Sequence, residues 1–229
     1  MDYLAGGFLK AVYLLISGDP ETYTAVFTTL KVSSLSITAS MVIGIPLGFL
    51  LGYYEFPGKR QVRAIVDTLL ALPTVVVGLF VYAFISRRGP CGELALLFTI
   101  PGIAAAQTIL VTPIIVSLTA TAIESLDRRL KTTLLTLGAR GKQIIITNLV
   151  EARYAVLVAA ITGYGRAISE VGISMMIGGN IKWHTRTITT AIALETGKGE
   201  FAVGMALGIV LLSIALAVNG MLIFLRRRS

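Results

Sequence analysis

Long apolar stretches constrain this chain more than any other feature. Five of them, near residues 27–54, 64–86, 94–123, 154–177 and 201–225, each exceed twenty residues. A bilayer's hydrocarbon core is about 30 Å thick and a helix rises about 1.5 Å per residue, so about 20 apolar residues cross it. Each stretch is long enough to span, with tilt. Only 14% of the residues are charged, against about 25% in soluble domains. The pattern predicts an all-α polytopic membrane protein with five transmembrane helices. Residues 1–229 read as one transmembrane domain with no room for a large soluble one.

A shorter apolar stretch, residues 3–16, is interrupted by Lys10 and ended by Ser17, Gly18, Asp19 and Pro20. It reads as a helix lying in the membrane interface. Asp2 stands where a signal peptide would carry its basic region. Two polar segments, 124–153 and 178–200, separate the later spans.

Basic residues set the sidedness. With five spans, one side holds Lys59, Arg60, Arg63, Arg128, Arg129, Lys131, Arg140, Lys142, Arg153 and Arg226 to Arg228, twelve in all. The other holds six: Lys10, Arg87, Arg88, Lys182, Arg186 and Lys198. The positive-inside rule places the first group in the cytoplasm, the N-terminus outside and the C-terminus inside. The net charge of +8 therefore reads as an orientation signal, and no nucleic-acid partner is expected.

Catalysis finds little material. Cys91 and His184 are the chain's one cysteine and one histidine, so no intrachain disulfide forms and no metal site is expected. No Walker A spacing occurs around Gly138 to Gln143 or Thr196 to Gly199. The chain is not expected to bind nucleotide, to hold a cofactor or to act as an enzyme.

Three sets of residues remain as functional candidates. In the cytoplasmic segment, Leu126, Leu130, Leu134 and Leu137 recur at helical spacing before Gly138, Ala139 and Arg140. They predict two short helices joined at Gly138, whose freedom at positive φ permits the turn. In the third span, Gln107, Thr108, Thr112 and Ser117 could line a pathway; hydroxyls and amides guide an anion without trapping it. In the fourth, Arg166 and Glu170 are four apart, close enough for an intrahelical ion pair. Two such charges cost about 5–7 kcal/mol on insertion scales, so their face should meet protein or water. Asn180 and a short helix over 187–195 make the outer segment a candidate gate. Gly44, Gly48 and Gly52, with Gly204 and Gly208, form small-xxx-small steps for close helix packing.

The cytoplasmic segment also carries a resemblance. Leu126 and Asp127, followed by Thr136, Leu137, Gly138 and Ala139, resemble the coupling loop of binding-protein-dependent ABC importer permeases. That family's Glu-Ala-Ala triplet is replaced here by Thr132, Thr133 and Leu134, and its terminal Ile-x-Leu-Pro by Asn148 to Glu151. The order of Leu30 to Leu35, Phe56 to Lys59, Arg87 to Gly89, Gly165 to Gly172, Gly179 to Ile181 and Thr185 to Ile188 is similar to the molybdate/tungstate branch, most of all to its tungstate-type members. The resemblance implies a homodimeric permease of the prokaryotic inner membrane. It implies two cytoplasmic ABC ATPase subunits that hold ATP and Mg and dock on the loop. It also implies an extracytoplasmic binding protein that delivers a tetrahedral oxyanion. Molybdate, sulfate or another anion is the alternative cargo, and an ATP-independent channel or carrier the alternative class.

Overall fold

The computed structural model describes residues 6, 8–10, 12–13 and 16–228. Every regular element among them is helical: α1 (Pro20–Tyr53), α2 (Lys59–Leu69), α3 (Thr74–Ile85), a 3₁₀ turn (Gly92–Leu94), α4 (Ile100–Glu124), α5 (Arg128–Thr136), α6 (Gly141–Glu151), α7 (Arg153–Ile168), α8 (Gly172–Gly178), α9 (Ile188–Gly197) and α10 (Phe201–Arg228). By length and composition, three helices can each cross a membrane: α1, α4 and α10 over Phe201–Val218. The number rises to five if the bent pairs α2 with α3 and α6 with α7 each count as one span.

Local chemistry sets the helix ends. Asp19 accepts from the Thr22 backbone N–H (2.8 Å) and hydroxyl (2.6 Å), and Pro20 follows at the first helical position, where its missing N–H costs nothing. These residues end the N-terminal segment as expected. Of segment 3–16, Gly6, residues 8–10, residues 12–13 and Ile16 are helical; the rest lies outside the described residues. The helix α4 begins at Ile100, later than the expected residue 94. Ala95 and Phe98 hold positive φ before it, and Thr99 Oγ1 accepts from Gly102 N (3.1 Å).

Two expected spans are interrupted. The second breaks between α2 and α3, because Pro73 lacks an N–H and disfavours helical geometry at Leu72. The fourth ends at Ile168 and resumes as α8 at Gly172. Here the Glu170 carboxylate takes the Ile173 N–H (3.0 Å) and its carbonyl accepts from the Thr189 hydroxyl (2.8 Å). Side chains thus replace the helix ladder at that point.

The chain divides into two compact units. Unit 1 comprises Met1–Ser36, Pro73–Thr108 and Tyr164–Ser229. Ile103, Ile173, Ile177 and Ile188 are fully buried in it. Gly78 lets α3 approach α8: a Cβ there would meet Met176 Sδ at 3.1 Å. Ala25, Ile188, Ala191, Leu207 and Val210 form a second cluster.

Unit 2 comprises Ile37–Leu72 and Ile109–Gly163. Its core is the seam between α1 and α4. A Cβ on Gly44 would lie 2.8 Å from Ile115 Cβ, on Gly48 2.7 Å from the Val116 carbonyl oxygen, and on Gly52 2.6 Å from that of Ala120. The three glycines form the close-packing face the spacing predicts. Gly204 packs against Thr196 Oγ1 in the same manner, in unit 1, whereas nothing lies within 4 Å of a Cβ on Gly208. Gly208 is not a close-packing position within the described chain.

Candidate functional site

The loop between α4 and α7 is built on unit 2. At its root, Leu126 and Leu149 pack on a buried cluster of Phe49, Ala122, Ile123 and Ala152. Asp127 caps α5 by accepting from Arg129 N (2.9 Å). At the other end of α5, Gly138 stands at φ 73 and Ala139 N donates to Leu134 O (2.9 Å). This left-handed termination satisfies carbonyls that would otherwise be orphaned. Arg140 N then donates to Gln143 Oε1 (2.9 Å), opening α6. The expected pair of short helices joined at Gly138 is present. Leu130, Leu134 and Ala139 are half-buried, while Arg140 is exposed. Leu137 lies past the helix end and is 77% exposed, with Leu135 at 55%. The loop thus presents apolar side chains and a turn that no other part of the described chain covers.

The polar residues of α4 do not share one environment. In unit 1, Gln107 is 2% exposed and donates from Nε2 to Ser174 Oγ (3.4 Å), while its Oε1 has no partner. Thr108 donates to Ala104 O (2.7 Å) and lies 3.4 Å from Ser36 O. In unit 2, Thr112 is half-buried, and Ser117 is buried and donates to Asp67 Oδ1 (2.8 Å).

That last bond belongs to a feature the sequence reading missed. Lys59, Arg63 and Asp67 lie on one face of α2 at intervals of four. They meet Glu124, Thr121 and Ser117 in descending order along α4: Lys59 to Glu124 at 3.3 Å, Arg63 to Thr121 at 2.6 Å, Asp67 to Ser117 at 2.8 Å. Arg63 also pairs with Asp67 (3.3 Å) and Glu124 (3.6 Å). The signal was the charged i, i+4, i+8 spacing on α2, which reads as a partnered face once the facing hydroxyls are known.

Arg166 and Glu170 do not pair. The helix ends between them, Arg166 is exposed, and Glu170 is 5% exposed. The expected ion pair needed a continuous helix, and capping of α8 removes it. Glu170 instead lines a niche with Gln107, Ser174, Thr187 and Thr189.

Segment 178–200 folds back on α1. Glu21 pairs with Lys182 (2.6 Å) and with Arg186, and Arg186 Nε donates to Asn180 Oδ1 (3.2 Å). Thr187 caps α9 in a reciprocal box with Thr190. Ile188 N donates to Thr29 Oγ1 of α1 (2.9 Å). The expected helix near 187–195 is therefore present as α9, but its start is buried: Thr185, Thr187, Thr189 and Thr190 are each under 5% exposed. Among the described residues no group of three His, Cys, Asp or Glu side chains could hold a metal ion.

Comparison with known proteins adds the family context. The sequence profile described as binding-protein-dependent transport system inner membrane component matches residues 44–229. The chain is 45% identical over 219 residues to the tungstate uptake system permease protein of Campylobacter jejuni, covering 96% of this chain and 92% of that one. It is 40% identical over 222 residues to the protein of the same description from Peptoclostridium acidaminophilum, covering 97% of each. It superposes on a chain of the MetNI methionine ABC transporter, solved in inward-facing conformations, with a TM-score of 0.75 and 20% identity. That match covers 91% of this chain and 95% of the other. At that identity the likeness shows the fold.

Proposed function

Because this chain belongs to the family of binding-protein-dependent transport system inner membrane components, we propose that it is the transmembrane permease of an ATP-driven importer that carries tungstate into the cytoplasm. The observation that carries the reading is the 45% identity to a tungstate uptake permease over nearly the whole of both chains. The chain is a membrane-embedded transport subunit and not an enzyme; ATP hydrolysis belongs to a separate subunit.

The working unit is a homodimer with a pathway along its two-fold axis. It works with two cytoplasmic ABC ATPase subunits that hold ATP and Mg, and with an extracytoplasmic binding protein. The N-terminus lies outside and the C-terminus inside, by the twelve-to-six split of basic residues. The loop 124–153 couples to the ATPase. Its two short helices are held by the Gly138 turn, and Leu135 and Leu137 are exposed on it. An apolar surface on a short helix suits a partner's groove. Closure of the ATPase dimer on ATP draws the loops together and opens the pathway outward; return after hydrolysis releases the anion inward.

The test is uptake of tungsten, molybdenum and sulfur by cells with and without this gene, at nanomolar metal and excess sulfate. Selective loss of tungsten uptake supports the reading. Unchanged tungsten, in a strain with no second importer, removes the substrate and leaves a permease for another anion. Uptake by the purified chain alone, following the ion gradient, would place it among ATP-independent carriers.

A further inference from the structure

Glu170 is the one ionisable side chain among the buried described residues. It carries no ion pair, and a carboxylate buried within a membrane-embedded unit demands an account of what holds it. One contact holds the carboxylate itself, and two more hold the residue's backbone carbonyl. The carboxylate accepts the Ile173 N–H at the start of α8 (3.0 Å). The Glu170 carbonyl accepts from Ser174 Oγ (3.3 Å) and from Thr189 Oγ1 of α9 (2.8 Å). Ser174 accepts in turn from Gln107 of α4.

Thr189 is itself held. Its hydroxyl lies 2.9 Å from that of Thr187, and the residue before it, Ile188, donates its N–H to Thr29 of α1. The break between α7 and α8 is therefore bonded to α9, α4 and α1 at one buried point. Bonds of this kind weaken little with salt, unlike the partly exposed pairs at Glu21.

We propose that Glu170 and Thr189 form the positioning pin of the outer segment 178–200. Glu170 acts as a hydrogen-bond acceptor that holds the segment in the orientation the binding protein engages, not as a charge in the anion's path. This rests on the importer reading, since it assigns the outer segment to the face that meets the binding protein.

The test uses the full complex, permease with its ATPase subunits, in lipid nanodiscs. ATPase rate is titrated with tungstate-loaded binding protein. Thr189→Val keeps the shape of the side chain and removes the hydroxyl. The expected result is a half-stimulating concentration raised about threefold or more, the change that a lost hydrogen bond's net free energy corresponds to. Basal ATPase rate should stay unchanged. Glu170→Gln keeps an oxygen for the Ile173 N–H and should stay close to wild type, whereas Glu170→Ala, which keeps the carbonyl but leaves the Ile173 N–H without its partner, should shift in the same direction as Thr189→Val. If Thr189→Val lowers the yield of complex, Thr189→Ser must restore both yield and titration. A Thr189→Val curve superimposed on wild type, or a Thr189→Ser variant as defective as Val, overturns the pin. Glu170→Gln as defective as Glu170→Ala overturns it in favour of a role for the charge. A wild-type complex that ignores the binding protein overturns the importer reading itself.

Discussion

The two polar segments, 124–153 and 178–200, look alike in the sequence and fold in opposite ways. Both interrupt apolar spans, and both carry basic residues and threonines. In the first, α5 stands away from the core: Thr132, Thr133 and Thr136 are exposed, and so is Leu137. In the second, Thr185, Thr187, Thr189 and Thr190 are buried. The difference lies in partners. The threonines of the second segment spend their hydroxyls on a capping box, on the Glu170 carbonyl and on the Gly178 carbonyl, so their burial leaves nothing unsatisfied. Thr136 bonds only back into its own helix, to Thr133 O (2.9 Å). A polar run is buried when its groups close on one another and stays at the surface when they do not.

This contrast can be broken or sharpened by substitution. The largest effect belongs to the scaffold beneath segment 124–153. Gly52→Val would drive a Cβ to 2.6 Å from the Ala120 carbonyl oxygen, which is backbone and cannot yield. We expect loss of folded protein, read as yield after detergent extraction; a normal yield would mean the α1–α4 seam can open without penalty. Next comes Gly138→Val. A Cβ there meets open space, but φ 73 is unfavourable for a branched residue, at about 1–2 kcal/mol. Tungsten uptake should vanish while the protein still inserts, and normal uptake would remove the coupling role from this turn.

A smaller change is expected where segment 178–200 meets α1. Thr29→Val removes the acceptor of the buried Ile188 N–H, which costs about 1–3 kcal/mol. The melting temperature should fall by several degrees, and an unchanged melt would imply that water replaces the hydroxyl. The smallest effect belongs to Glu21→Gln. Its partners Lys182 and Arg186 hold it at a partly exposed position, and such pairs contribute about 0–1 kcal/mol. Stability should barely move and become less dependent on salt. A large loss would show that segment 178–200 relies on charge more than on its threonines.

Several elements were legible before any coordinates. The apolar stretches announced helices, and Gly138 announced a turn because a left-handed termination favours glycine. Gly44, Gly48 and Gly52 announced a close seam, since their spacing of four returns them to one helix face. Other elements were not legible. Arg166 and Glu170 have ion-pair spacing, yet the pair is absent because Glu170 bonds the start of α8 instead. Ser117 reads as a lining hydroxyl until Asp67, fifty residues earlier, accepts its hydrogen bond.

By itself, then, the sequence determined that this is an all-helical membrane protein, which stretches are apolar enough to form its helices, and that Gly138 turns while Gly44, Gly48 and Gly52 pack. Those properties depend on neighbours within a turn or two, or on the sign of solvation along a helix. The tertiary structure alone decided which polar groups meet: Glu170 with Thr189, Asp67 with Ser117, Thr29 with Ile188 N. A hydrogen bond depends on distances of a few tenths of an ångström between residues remote in sequence, and periodicity carries no such information.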